Sequence, residues 1–202
     1  MASVDAQQIW KGFHWSFFIN IQGLIICLKR FEVSMISGNL PNAQLELETA
    51  TDLMVASGAS MEMASSFSKQ AYADKVRPSM APPHVQSHDF SGLMSWEHAS
   101  LIQIWKRLQP IFETLPVELH PHHEKFVNAY VHLATSHRAV CQKFGGDTAG
   151  SLRYEQGKAT EVLDKFKQKR LSLIDPKHRV EGCPFHSPKT IQDKHRYSSS
   201  LP

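Results

Sequence analysis

The sequence predicts an all-α fold, a single-domain helical bundle. Apolar residues recur every three or four positions along most of the chain. No run of alternating β-branched residues occurs, and no hairpin dipeptide joins two such runs. No repeat of fixed period is present, which argues against a solenoid. At 202 residues the chain can bury a core without staples. The expected layout is one helical domain over 1–186 and a polar, proline-containing tail over 187–202.

Taken in order, residues 1–11 are a lead-in or a first short helix. Gly12 to Ser37 is apolar on nearly all sides, as a central bundle helix is. Ser37-Gly38-Asn39-Leu40-Pro41 ends it, with Gly past the end and Pro beyond. A second helix starts near Asn42, bends at Gly58 and resumes to about Ala73. The proline-bearing stretch Arg77–Asp89 breaks the helices. Ser95 caps the next helix, with Trp96, Leu101, Ile104, Trp105 and Leu108 at helical spacing. Pro110 and Pro116 punctuate its end, and His120-Pro121-His122-His123 reads as a turn. From Glu124 a long helix runs into the glycine turn at 145–150. Ser151 to Arg170 is a last amphipathic helix with Leu152, Val162, Leu163 and Phe166 inward.

Composition excludes several classes. The net charge of +3 is small, and Lys and Arg are scattered among Glu and Asp. Neither a nucleic-acid groove nor an anionic membrane face follows from it. Three Cys without a CxxC pair indicate neither a zinc knuckle nor a disulfide framework, so a reducing cytoplasm is the expected compartment. Phe13–Leu28 is interrupted by Asn20 and Gln22, has no basic segment before it and no small-residue cleavage site after it. It reads as a buried helix, not a membrane span or a signal peptide. P-loop, GxGxxG, GxSxG, HExxH and EF-hand patterns are absent.

Twelve His residues stand out. One of them, His137, lies inside the apolar stripe Phe126, Tyr130, Leu133, His137, Val140, Cys141, Phe144. An inward imidazole needs a partner, because a buried polar ring without one costs roughly 1–3 kcal/mol. A metal or a haem iron is one such partner, and the backbone or a side chain of another helix is the other.

Three stretches, in order, resemble the tryptophan and indoleamine 2,3-dioxygenase superfamily of helical haem proteins, which includes haem-dependent tyrosine hydroxylases. FFINIQGLIICLKRF, Phe17 to Phe31, is similar to the family's helix on the distal side of the haem. FSGLMSWEHASL, Phe90 to Leu101, is similar to its SGFQS segment and the helix beyond. HRAVCQKFGGDTAGS, His137 to Ser151, is similar to its proximal-histidine helix and glycine-rich substrate loop. The resemblance implies a dioxygenase-like haem pocket with haem b and His137 as proximal iron ligand. It implies a distal pocket formed by Phe13, Trp15, Phe17, Phe18 and Trp96, with Phe18 and Trp96 against the cofactor. Gln22 and His98 are the expected catalytic contacts, and His14, Thr148 and Ser151 the expected substrate contacts. Cys183, near His178, is a candidate for the covalent haem attachment known in some of the hydroxylases, and a free thiol in a loop is the other reading.

Two departures from the family stand out. Gln22 occupies the region of the distal His, and a Gln can donate to oxygen but cannot act as a base. Trp96-Glu97-His98-Ala99 carries no Arg where the dioxygenases hold a substrate carboxylate.

The expected function is a haem-dependent oxygenase acting on an aromatic amino acid or related small aromatic metabolite, with oxygen or peroxide as oxidant. A homo-oligomer is implied by the resemblance; no nucleic-acid or membrane partner is expected. One alternative is a non-haem iron enzyme using His120, His122 or His123 with Glu97 or Glu118. The other is a non-catalytic helical partner protein.

Overall fold

A computed structural model describes residues 5–85, 92, 95–145, 150–151 and 154–177. The fold is all-α. Helix α1 spans Ala6–Ile36 and α2 Leu40–Met63. An irregular helix α3 covers 69–79, and its middle turn, Tyr72–Val76, is a π-helix. Helix α4 is Trp96–Glu113, and a 3₁₀ turn, Val117–Leu119, leads into α5, His120–Gly145. Strands β1, Gly150–Ser151, and β2, Tyr154–Lys158, pair antiparallel, and α6, Ala159–Ile174, follows.

The α1–α2 corner follows from its residues. Gly38 takes φ 71°, the left-handed conformation that costs a glycine nothing. Asn39 Oδ1 accepts from the amide of Asn42 at 3.2 Å, and Pro41 sits in the first turn, where its missing N–H is no loss. The two helices therefore fold back as a hairpin, and α2 lies between α1 and α5.

The core is built from Leu24, Leu28 and Phe31 of α1, Leu47 and Met54 of α2, Ile104, Trp105 and Phe112 of α4, and Phe126 of α5, all essentially inaccessible. Each such side chain stabilises the fold by roughly 1.5–3 kcal/mol. Phe31 and Phe112 stack at 5.9 Å and 22°, which joins α1 to α4.

Four sequence expectations are corrected here. Gly58 does not interrupt α2, which ends at Met63 and not near Ala73; it lets α5 approach, since an added Cβ would meet His132 Cδ2 at 3.2 Å and Leu133 Cα at 3.6 Å. His120 to His123 are not a turn but the first turn of α5, where Pro121 is tolerated. Residues 77–79 are still helical, so Arg77 does not open the break. Residues 154–158 are a strand, and the last helix starts only at Ala159; Gly157 is a poor helix former just before it. No helix among the described residues is long and apolar enough to cross a membrane.

Candidate functional site

The cavity lies between α1, α3, α4, α5 and α6 and encloses about 720 Å³. That lies within the roughly 300–1,000 Å³ of small-molecule and cofactor sites. Its walls are chiefly apolar. Trp10, Phe17 and Phe18 come from α1, Leu101 and Trp105 from α4, and Leu133, Val140 and Phe144 from α5. At one end Tyr72 and Phe144 stack at 4.3 Å and 9°, with Trp10 and Phe67 edge-on or stacked beside them. Exposed Lys11, Trp15 and Gln22 mark the rim.

The stripe on α5 behaves as its spacing predicts. Tyr130, Leu133, His137, Val140, Cys141 and Phe144 all line this one cavity. Among the described residues no backbone or side-chain group hydrogen-bonds to His137. Burial first, then the charges of Arg170 and His14, push its pKa down to about 4. At neutral pH the ring therefore carries an unprotonated nitrogen, the form in which imidazole ligates a metal.

His14 faces the same space from α1. Its Nδ1 lies 2.8 Å from the Trp10 carbonyl, which can only accept, so Nδ1 holds the proton. Burial lowers its pKa against the opposing pull of that bond. In the neutral ring Nε2 is then a lone-pair acceptor. Burial also raises Tyr130, against Arg170, and lifts the Cys141 thiol to about 11.

The other expected site residues divide. Phe18 and His98 line the cavity. Gln22 stands at the rim with Nε2 donating to Glu97 Oε1 at 2.9 Å, which holds its amide toward α4. Trp96 does not reach the pocket: as the first residue of α4 it is 65% exposed and points away from the lining. Trp15 is a rim residue, not part of a dry wall. Ser151 pairs with Tyr154 in the β1–β2 ribbon, while Thr148 and Cys183 lie outside the described residues.

Arg170 was missed. It falls seven residues after Leu163 on α6, so it occupies the apolar face, and a cation at that register was the available signal. Trp105 and Tyr130 read only as core.

The histidines at the start of α5 do not converge on a metal site. His120 Nε2 donates to the Leu115 carbonyl at 2.9 Å, and His123 Nε2 to the Ile174 carbonyl at 2.6 Å. His122 Nδ1 lies 3.0 Å from Glu48. Among the described residues no three His, Cys, Asp or Glu side chains gather as a metal-ligand cluster. A porphyrin iron, by contrast, needs only one protein ligand.

The family described as SfmD 3-methyl-L-tyrosine peroxygenase matches residues 1–122. The chain belongs to this peroxygenase family. The match takes in α1 through α4 and so includes His14, Gln22, His98 and Trp105; His137 and Arg170 lie beyond it. A 3-methyl-L-tyrosine peroxygenase of Streptomyces lavendulae is 28% identical over 173 residues, which is 84% of this chain and 47% of that protein. The chain thus spans about half the length of this peroxygenase relative. No solved structure matches the chain.

Proposed function

We propose that the protein is a haem-dependent peroxygenase that hydroxylates an aromatic amino acid of the tyrosine type. The observation that carries this reading is the neutral imidazole of His137, without a hydrogen-bond partner among the described residues, facing an apolar cavity of about 720 Å³. The family supplies the reaction class, and its named relative acts on 3-methyl-L-tyrosine. The likeness to the tryptophan dioxygenase-like haem proteins supports haem b as the cofactor.

The residues fit that group. His137 would hold the iron from α5, and Phe17, Phe18 and Leu133 would supply apolar surface for the ring system. When bound, haem would supply the activation of peroxide, so that one oxygen atom enters the aromatic ring and the other leaves as water. His14 is placed for the proton work. Its Nδ1–H is fixed on the Trp10 carbonyl, so Nε2 is free to take a proton from the oxidant. Gln22 cannot serve as that base, because an amide does not bind protons at neutral pH. The aromatic walls keep bulk water from the reacting atoms.

The test is an absorption spectrum of protein produced with a haem precursor or titrated with haemin. Wild type is expected to show a Soret band that is lost in His137→Ala and kept in His122→Ala. Wild-type protein that takes up no haemin overturns the reading.

A further inference from the structure

Arg170, Trp105 and Tyr130 bring donors to the cavity wall, and no negative charge answers them there among the described residues. Arg170 enters it from α6 with a guanidinium that stays charged at any physiological pH. Among the described residues it forms no ion pair. Its Nη2 donates to His98 Nε2 at 2.9 Å, and its plane lies over the Phe166 ring at 5.2 Å. Neither contact carries negative charge. Glu97 is the one acidic residue lining the cavity among the described residues, and it accepts from Gln22 instead.

Two neighbours sharpen the imbalance. Among the described residues the Trp105 indole N–H is buried without a hydrogen-bond partner, and the buried Tyr130 hydroxyl has only the Arg170 guanidinium to interact with. Their rings meet edge-on at 5.4 Å, and the Tyr130 hydroxyl feels the charge of Arg170. An indole N–H can only donate, and a guanidinium can only donate. A half-buried cation beside a buried indole donor, with no counter-charge among the described residues, has the composition of a site awaiting an anionic acceptor. A guanidinium has five N–H donors in a planar fork, and a carboxylate matches that fork.

We propose that Arg170 is the anchor for a carboxylate of the small molecule held in the cavity. The depth of the neighbouring Trp105 and Tyr130, 2% and 3% exposed, suits the α-carboxylate of an amino-acid substrate. A porphyrin propionate has the same chemistry. The substrate form of this assignment rests on the peroxygenase reading.

The test uses two acid-and-neutral pairs, with binding followed by calorimetry or tryptophan fluorescence. The first is 3-methyl-L-tyrosine against its decarboxylated amine; the second is haemin against its dimethyl ester. Wild type is expected to prefer 3-methyl-L-tyrosine over the amine by roughly ten- to a hundredfold. In Arg170→Gln that preference should vanish while amine binding persists, which also shows the variant is folded. Should Arg170→Gln fail to fold, Arg170→Lys keeps the charge without the fork and should lose part of the same preference. If the variant instead erases the preference for haemin over its ester, the carboxylate is a propionate and the anchor stands. If neither preference changes, Arg170 is not a carboxylate anchor, though the peroxygenase reading survives. If wild type binds neither the amino acid nor the amine nor haemin, the anchor and that reading fall together.

Discussion

Arg170 Nη2 donates to His98 Nε2 across 2.9 Å and so ties α6 to the first turn of α4. Because an arginine never accepts, Nε2 of His98 must carry a lone pair, and the neutral ring keeps its proton on Nδ1. His98 therefore orients the guanidinium; it does not deliver a proton from Nε2. Replacing His98 by Ala would leave a donor of Arg170 unmatched. The expected loss is about 1–3 kcal/mol of stability in urea unfolding, with haemin uptake retained.

His137 makes stability depend on pH in one direction. Burial, Arg170 and His14 hold its pKa at about 4 in the folded chain, against 6.5 for the free side chain. Between those values the unfolded chain binds a proton that the folded chain does not, so stability falls as pH drops from about 6.5 toward 4. At about 1.4 kcal/mol per pKa unit the loss is up to about 3 kcal/mol. In cofactor-free protein His137→Leu should flatten that part of the profile, read from urea midpoints at several pH values. Parallel profiles for wild type and variant would contradict the burial of the ring.

Gly58 sits where α2 meets α5. An alanine Cβ there would press on the His132 ring, whose side chain is more than half exposed and free to move, while gaining about 1 kcal/mol of helix propensity. Gly58→Ala is expected to be neutral or stabilising by up to about 1 kcal/mol. Gly58→Leu should destabilise by several kcal/mol, because its branches would run into the Leu133 backbone. Thermal unfolding of the two variants separates close approach from a bend.

Cys141 should be an inert thiol in the folded protein. With its pKa near 11, about one in a thousand is thiolate at pH 8. Labelling with a disulfide reagent at pH 8, read by peptide mass spectrometry, is expected to be slow at Cys141 until denaturant is added. Fast labelling in native protein would show that the cavity wall opens there.

Much of the fold was legible because helix signals are local. The Gly38 turn, the Ser95 cap and the α5 stripe each depend on residues within one or two turns, and all stand as read, whereas the second helix starts at Leu40, capped by Asn39, and not near Asn42. The errors also have local causes. Trp96 was expected in the pocket from its place beside the family-like segment, yet the first residue of α4 sits about 200° around the helix from His98, which does line the cavity. The histidines before Glu124 looked like a turn because Pro121 is among them, although proline is at home in a first helical turn.

By itself the sequence determined that the chain is helical, where the caps and corners fall, and that His137 turns inward on an apolar stripe, because periodicity and capping are set by near neighbours along the chain. Only the tertiary structure decided what those faces meet. It brought His14 of α1, His98 of α4, His137 of α5 and Arg170 of α6 around one cavity. The physical reason is that helix spacing specifies a direction for each side chain, whereas the space that side chain enters is set by packing between segments distant in the chain.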